Sequence, residues 1–487
     1  MTAYIVDIGL EVHVELATQT KMFCGCKVVD TTCTEPNTAV CPICSGMPGA
    51  LPVTNKKAVE YGIKAALALN CKVAQQSIFA RKNYFYPDLP KGYQISQYEY
   101  PLAQNGHIEI ETSQGKRTIR IRRVHLEEDT GKLTHFSKEG KSYSLVDLNR
   151  CGVPLLEIVT EPDMHSTEEV LAYSHSLRTL MRYLEITTGD MEKGAMRFEA
   201  NISLHPANSS ILGTRVEIKN LNSFHSMERA ITYQIKQQKK LLEEDKTISQ
   251  ETLGWDKTCG VTISQRSKEE AHDYRYFPEP DLPPLIIEIE WLNKIDASLP
   301  ELPSAKKRRY QQEYGLQKDD IDRLISEKSV GEYFENCLQV ATQISQRTVS
   351  NWITSDLFSW MNLSGEHIQD LKVRPKDLVE LLQHIESGTI NQSTAKDVLL
   401  EMLQSGKSST TIIAQKDLRQ ISNDTAIEEL IQKVFAENSQ EIELYLKGKE
   451  TLANWFFGQV MRTSGGKANP IIVKKLLARQ LELLKKS

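Results

Sequence analysis

Long apolar runs are missing from this 487-residue chain. A membrane-spanning helix needs about 20 consecutive, mostly apolar residues, and no stretch comes near that, so no membrane partner is expected. The N-terminus, MTAYIVDIGLEVHVEL, has no basic region, no apolar core and no small-residue cleavage site. It does not read as a secretory leader, and the expected compartment is the cytoplasm. Phosphate loops are absent too, because neither G-x-x-x-x-G-K-[ST] nor G-x-G-x-x-G occurs. Any use of ATP must therefore proceed without a P-loop or a dinucleotide-binding turn. There is no G-x-S-x-G elbow and no Ser/Ser/Lys amidase pattern. Internal repeats and low-complexity tracts are lacking. So is a strong overall charge: 59 Lys and Arg stand against 64 Asp and Glu, a net −5. That excludes a uniformly basic nucleic-acid coat but leaves local patches open.

What is present is ordinary globular composition, and the length suggests about three domains. Residues up to about 292 are rich in short alternating segments. LEVHVEL (10–16), SYSLVDLN (142–149), RFEANISL (197–204) and RVEIK (215–219) read as strands. GHIEIET and RTIRIR flank Gln114-Gly115 as a hairpin. Helices are expected from near Asn55 to Leu69, from Ser166 with Glu169 completing a capping box, and from about Ser226 to Leu242. The expected fold class is α+β, with a mixed, mostly antiparallel sheet. Two Pro-rich segments, FPEPDLPP (277–284) and LPELP (299–303), mark a boundary, and beyond them the pattern is nearly all helical. A second boundary is placed at LQSGKSSTT (403–411). The expected domains are therefore 1–293, 294–409 and 410–487. Asn469-Pro470 should cap a final amphipathic helix. From Arg462 to Ser487 there are seven basic residues and one acidic. Contact with a nucleic-acid backbone is one reading of that run, and a solvated helix face is the other.

Five of the nine cysteines (Cys24, Cys26, Cys33, Cys41 and Cys44) fall within 21 residues. Clustering of this kind, with an odd total and no leader, argues for a metal over a disulfide framework. Zn²⁺ takes four soft ligands in a tetrahedron, which Cys24, Cys26, Cys41 and Cys44 supply, with Cys33 a substitute for either of the first two. Four protein ligands close the sphere, so such a zinc would be structural. Cys71, Cys151, Cys259 and Cys337 are isolated, and packing is their expected role.

Strand alternation sorts the acids. Glu11, His13 and Glu15 share one face of their strand, opposite Leu10, Val12, Val14 and Leu16. Arg197, Glu199, Asn201 and Ser203 share a face, as do Arg215, Glu217 and Lys219. Glu127, Glu128 and Asp129 precede a Gly turn in VHLEEDTGK, and Glu157 lies in the apolar run GVPLLEIVTEPD. A wetted sheet face explains any one of these strands. The mixture, with Lys and Asn beside the acids, suits a hard cation and phosphate, because Mg²⁺ binds through a few carboxylates and substrate phosphates. RKNYFYPDLPKGYQISQ (81–97) adds Lys82 and Lys91 among tyrosines, as a phosphate-binding loop or as an ordered surface loop.

Taken together, IGLEVHVEL, KNYFYPDLPKGYQISQ, HLEEDTGK, DLNRCGVPLLEIVTEPD, GAMRFEANISL, GTRVEIKNLNSF, DYRYFPEPDLPP and GQVMRTSGGKANP span the chain in order. They resemble the B-subunit family of the aspartyl/glutamyl-tRNA amidotransferases, the GatCAB complexes. The resemblance implies a cradle-shaped α+β domain, a helical domain and a small helical tail that holds tRNA. It implies an ATP-dependent kinase for the side-chain carboxylate of Glu or Asp misacylated onto tRNA(Gln) or tRNA(Asn). Ammonia would come from a partner amidase, GatA, in a complex that also holds a small third protein, GatC. By position, Glu11, His13, Glu128 and Glu217 fall on the family's Mg²⁺ motifs, with Glu157 a further candidate. Glu128 and His13 are expected in catalysis, as is Lys82, which falls with Lys219 among the groups expected to bind ATP. Glu199 stands where members can carry Asp, so its longer side chain would meet the metal differently. The four cysteines match the zinc-bearing form of the family. Two other readings compete: a zinc-containing, non-catalytic tRNA-binding protein, and a carboxylate–metal nuclease. Neither accounts for the order of motifs along the whole chain.

Overall fold

A computed structural model describes residues 3–138, 141–267, 274–421 and 423–486. Asp273, the first residue of the DYRYFPEPDLPP motif, lies outside them, as does the side chain of Lys486. The chain divides into two compact units, 1–303 and 304–487.

The first unit is built on a nine-stranded sheet. Its strand order is Val261–Ser267, Glu251–Asp256, Val216–Leu221, Met196–Pro206, Tyr4–Glu15, Pro154–Thr160, Gly115–Glu128, Ala103–Thr112 and Lys72–Val73. All neighbouring pairs are antiparallel except Val216–Leu221 with Glu251–Asp256. The expected α+β class is what forms. One face of the sheet carries Ile8, Leu10, Val12, Val14, Leu126, Ile158, Ala200 and Ile218, all essentially solvent-free. They join a single core with helices Lys56–Ala68, Thr167–Tyr183 and Phe224–Glu243. Gly62 lets the first of these lie close, since a Cβ there would stand 2.7 Å from a Leu102 methyl. The opposite face is mostly polar, with Leu155 and Val159 among its apolar exceptions.

The helix starts follow the capping chemistry. Asn55 accepts from the amides of Lys57 and Ala58, and Ser166 accepts from Glu169 N. Glu169 does not close the box on Ser166; it accepts from His165 N at 2.6 Å, one residue earlier. The third helix starts at Phe224 on a Ser223 cap, slightly before the position expected. The first unit continues past residue 293 because Ile295, Leu299 and Leu302 pack into the first core through helix Ile289–Asp296 and the turn after it.

The second unit is helical and holds two hydrophobic clusters. One runs from Tyr310 to Ile413 and the other from Ile427 to Leu481. Segment 403–411 does not separate them, since Ile412 and Ile413 of helix Ser409–Gln415 pack into the former. In the terminal helix Pro470–Lys486, Asn469 accepts from Ile471 N. Val473, Leu476, Leu477 and Leu481 are buried while Lys474, Lys475, Arg479 and Lys485 are exposed.

Candidate active site

Register builds the site on the polar face of the sheet. Because Leu10, Val12 and Val14 enter the core, Glu11 and His13 point away from it. Residues directly opposite in an antiparallel pair share a face. Glu199 stands opposite Glu11, and Glu157 opposite His13. His125 stands opposite Glu157, and Glu217 opposite Asn201. Acids and histidines thus cross five adjacent strands.

They form two groups. Glu11, Glu199 and Glu217 each offer a carboxylate oxygen within 4.8 Å of the others. Asn201 Nδ2 donates to Glu11 at 3.0 Å, and Thr252 Oγ1 donates to Glu217 at 2.6 Å, which fixes both carboxylates. Lys219 Nζ lies 3.0 Å from Glu199 and 3.6 Å from Glu217. Burial, then the charges of Glu157, Glu199 and Glu217, push the Glu11 carboxyl above its ordinary range. Crowded oxygen donors of this kind gain from a divalent cation, and all-oxygen ligation is what Mg²⁺ takes.

The second group is His13, Glu127 and Glu157, again with donor atoms within 4.8 Å of one another. His13 Nε2 is 3.4 Å from Glu127 and 3.6 Å from Glu157. The buried His125 approaches Glu157 at 3.1 Å and Glu127 at 3.8 Å. Burial disfavours the His13 imidazolium, but Glu157 and Glu127 outweigh it and push the group up to about 9. Burial likewise opposes ionisation of Glu157, yet His125 and His13 hold its carboxyl well below the usual range.

Lys82 comes from strand Ala80–Asn83, part of a small sheet with Tyr93–Ser96 and Phe277–Pro278, and it feels the charge of this second group without forming an ion pair with it. Burial opposes its charge, but Glu127 and Glu157 hold its ammonium above the usual lysine range. Its Nζ stands 5.1 Å from the Tyr274 ring centroid. Ser96 Oγ donates to Glu127 at 3.3 Å, and Gln94 Nε2 donates to the Glu128 carbonyl at 2.6 Å, which joins the two sheets.

Glu128 is the exception among the expected residues. It belongs to neither group; its carboxylate pairs with Lys91 and accepts from Ile95 N. The reason is phase: Leu155 stands opposite Glu127 and Pro154 opposite Glu128, so Glu127 shares the face of His13 and Glu128 does not. Glu127 and His125 are the residues missed. Both lie in VHLEED, and alternation along that strand would have separated them from Glu128.

The thiols of Cys24, Cys26, Cys41 and Cys44 lie within 4.8 Å of one another, and Cys41 and Cys44 are 3.8 Å apart. Zn–S bonds of about 2.3 Å in a tetrahedron put sulfurs roughly 3.8 Å apart, so the donor set fits that ion. Cys33 is exposed and stands outside the group. Cys71, Cys151 and Cys337 are buried, whereas Cys259 is exposed in a turn, so packing does not account for it.

Known proteins match this chain closely. Residues 6–293 match the family described as the GatB/GatE catalytic domain, and residues 332–481 match the GatB domain. The B subunit of the aspartyl/glutamyl-tRNA(Asn/Gln) amidotransferase of Thermodesulfovibrio yellowstonii is 50% identical over 98% of this chain and 99% of its own. Its namesake from Geobacter sulfurreducens is 49% identical over 98% and 99%. That from Thermotoga maritima is 46% identical over 98% of each.

The chain belongs to this amidotransferase B-subunit family. It is one component of a multi-subunit tRNA amidotransferase. Both carboxylate groups and the cysteine group fall inside the catalytic-domain match. Among the described residues, no helix is long and apolar enough to cross a membrane.

Proposed function

We propose that the first unit uses ATP to activate the side-chain carboxylate of Glu or Asp misacylated onto tRNA(Gln) or tRNA(Asn). A free carboxylate is a poor electrophile, because ammonia would have to expel oxide. Phosphorylation removes that obstacle. A carboxylate oxygen attacks the γ-phosphorus of ATP, the bond to ADP breaks, and an acyl phosphate forms. Ammonia, released from glutamine by the partner amidase GatA, then attacks the acyl carbon. Phosphate leaves with the carboxylate oxygen, and the amide remains. Ammonia is already nucleophilic, so this step asks for no protein nucleophile, in keeping with the missing Ser elbow.

The observation that carries this reading is the gathering of Glu11, Glu199 and Glu217 beside His13, Glu127 and Glu157 on one sheet face. Magnesium, which enters with ATP, would neutralise phosphate charge there, with these carboxylates as its protein ligands. Lys82 and Lys219 would supply positive charge to phosphate oxygens in this reading. The four cysteines hold a structural zinc in this reading. The exposed lysines and Arg479 on helix Pro470–Lys486 suit tRNA phosphates.

The test uses the complex with its amidase and the small GatC protein, supplied with ATP, glutamine and Glu-tRNA(Gln). Glu11→Gln and His13→Ala should each lower amidation about a hundredfold or more, while glutaminase activity persists. Amidation within a few-fold of native would overturn the assignment. Cleavage of tRNA without ATP would favour a nuclease instead.

A further inference from the structure

Lys21 is fully solvent-excluded. A buried ammonium is costly unless its protons are bonded and its charge is matched. The bonds are present: Nζ donates to Ala39 O at 2.7 Å, Leu148 O at 3.3 Å and Cys44 Sγ at 3.6 Å. The matching charge is not a carboxylate, because among the described residues none lies within ion-pair distance of Lys21. What stands next to it is the cysteine group. Four thiolates around one Zn²⁺ leave two negative charges on the centre, and the Lys21 ammonium rests on one of the four sulfurs.

We propose that Lys21 is the built-in counter-cation of a dianionic zinc–tetrathiolate centre. The inference rests on the zinc reading above and adds a role for a residue that belongs to neither carboxylate group. Two features make Lys21 suited to it. It donates directly to Cys44, whose Sγ also accepts from Cys41 N at 3.1 Å, so the most buried thiolate has two donors. It also grips Ala39 inside the cysteine loop and Leu148 in the turn before strand Pro154–Thr160. Asn149 reinforces that junction, accepting from Ala39 N at 2.8 Å and donating to Glu35 O at 2.7 Å. The same ammonium thus balances the metal centre and ties its loop to the sheet that carries Glu157.

The test is zinc release from the purified full-length chain to a chromogenic chelator, with metal content checked by mass spectrometry. Lys21→Met, which keeps bulk but not charge, should weaken zinc retention about 10- to 100-fold, and Lys21→Arg far less. A second arm separates charge from folding. Cys26→His removes one negative charge from the centre, so in that background Lys21→Met should cost no more than a few-fold. If Lys21→Met does not fold, Lys21→Arg decides the matter: it keeps the charge and should hold zinc within a few-fold of native, and a tenfold or greater loss from a folded Lys21→Arg chain would overturn the inference. Native-like retention by Lys21→Met would overturn the inference, as would a further tenfold or greater loss in the double variant relative to Cys26→His. A native chain purified from zinc-containing medium without zinc would overturn the zinc reading itself and this inference with it.

Discussion

Arg81 precedes Lys82 and fixes the strand that presents it. Its Nε and Nη2 donate to the two oxygens of Glu279 at 2.7 and 2.8 Å, and the Glu279 side chain is fully enclosed. Removing one member of such a pair strands a buried charge. Arg81→Ala should therefore destabilise the chain by about 3–5 kcal/mol in urea unfolding, and a loss under about 1 kcal/mol would contradict this view of the pair. Glu11, His13, Glu199 and Glu217 were legible from sequence because the apolar residues between them fix which way each strand faces. Glu157, by contrast, sits in a strand buried throughout, which shows no such alternation, and it was a candidate only by the family resemblance. Glu127 was not separated from Glu128, because three consecutive acids give no phase of their own and the strand's apolar alternation had to be followed into them. The Arg81–Glu279 pair was invisible, since its partners lie 198 residues apart and neither is unusual locally.

Among elements, the join between helices Pro303–Tyr314 and Lys328–Val340 turns on one acid. Glu335 accepts from Tyr310 OH at 3.0 Å, pairs with Lys306 at 3.2 Å and pairs with Arg309. Burial raises the Glu335 carboxyl, but Arg309, Lys306 and Tyr310 lower it further, so its folded value lies below the ordinary 4.5. A lowered carboxyl stabilises the fold fully above its unfolded value and loses that contribution as pH falls through the folded one. The stability gap between native and Glu335→Gln should thus be widest near neutral pH and shrink as pH falls below about 4.5. A gap that does not vary with pH would contradict an electrostatic join. Helix starts were legible because Asn55, Ser166 and Asn469 announce themselves by their side chains. Element grouping was harder: the boundary moves from 293 to Pro303 because amphipathic helix Ile289–Asp296 is claimed by the first core, which no local signal marks.

Across the whole chain, the first unit supplies the carboxylate face and the cysteine loop, and the second supplies helices, the last of them basic. The sheet makes the site possible because five neighbouring strands bring residues from positions 11 to 217 into register. Centrally, the proposed chemistry requires that an oxygen of the esterified amino acid's carboxylate leave as phosphate. Glu-tRNA(Gln) carrying ¹⁸O in both side-chain oxygens tests it in the complete complex with ATP and glutamine. One ¹⁸O in the inorganic phosphate for each amide formed is the predicted result. Amide formed with wholly unlabelled phosphate would contradict it.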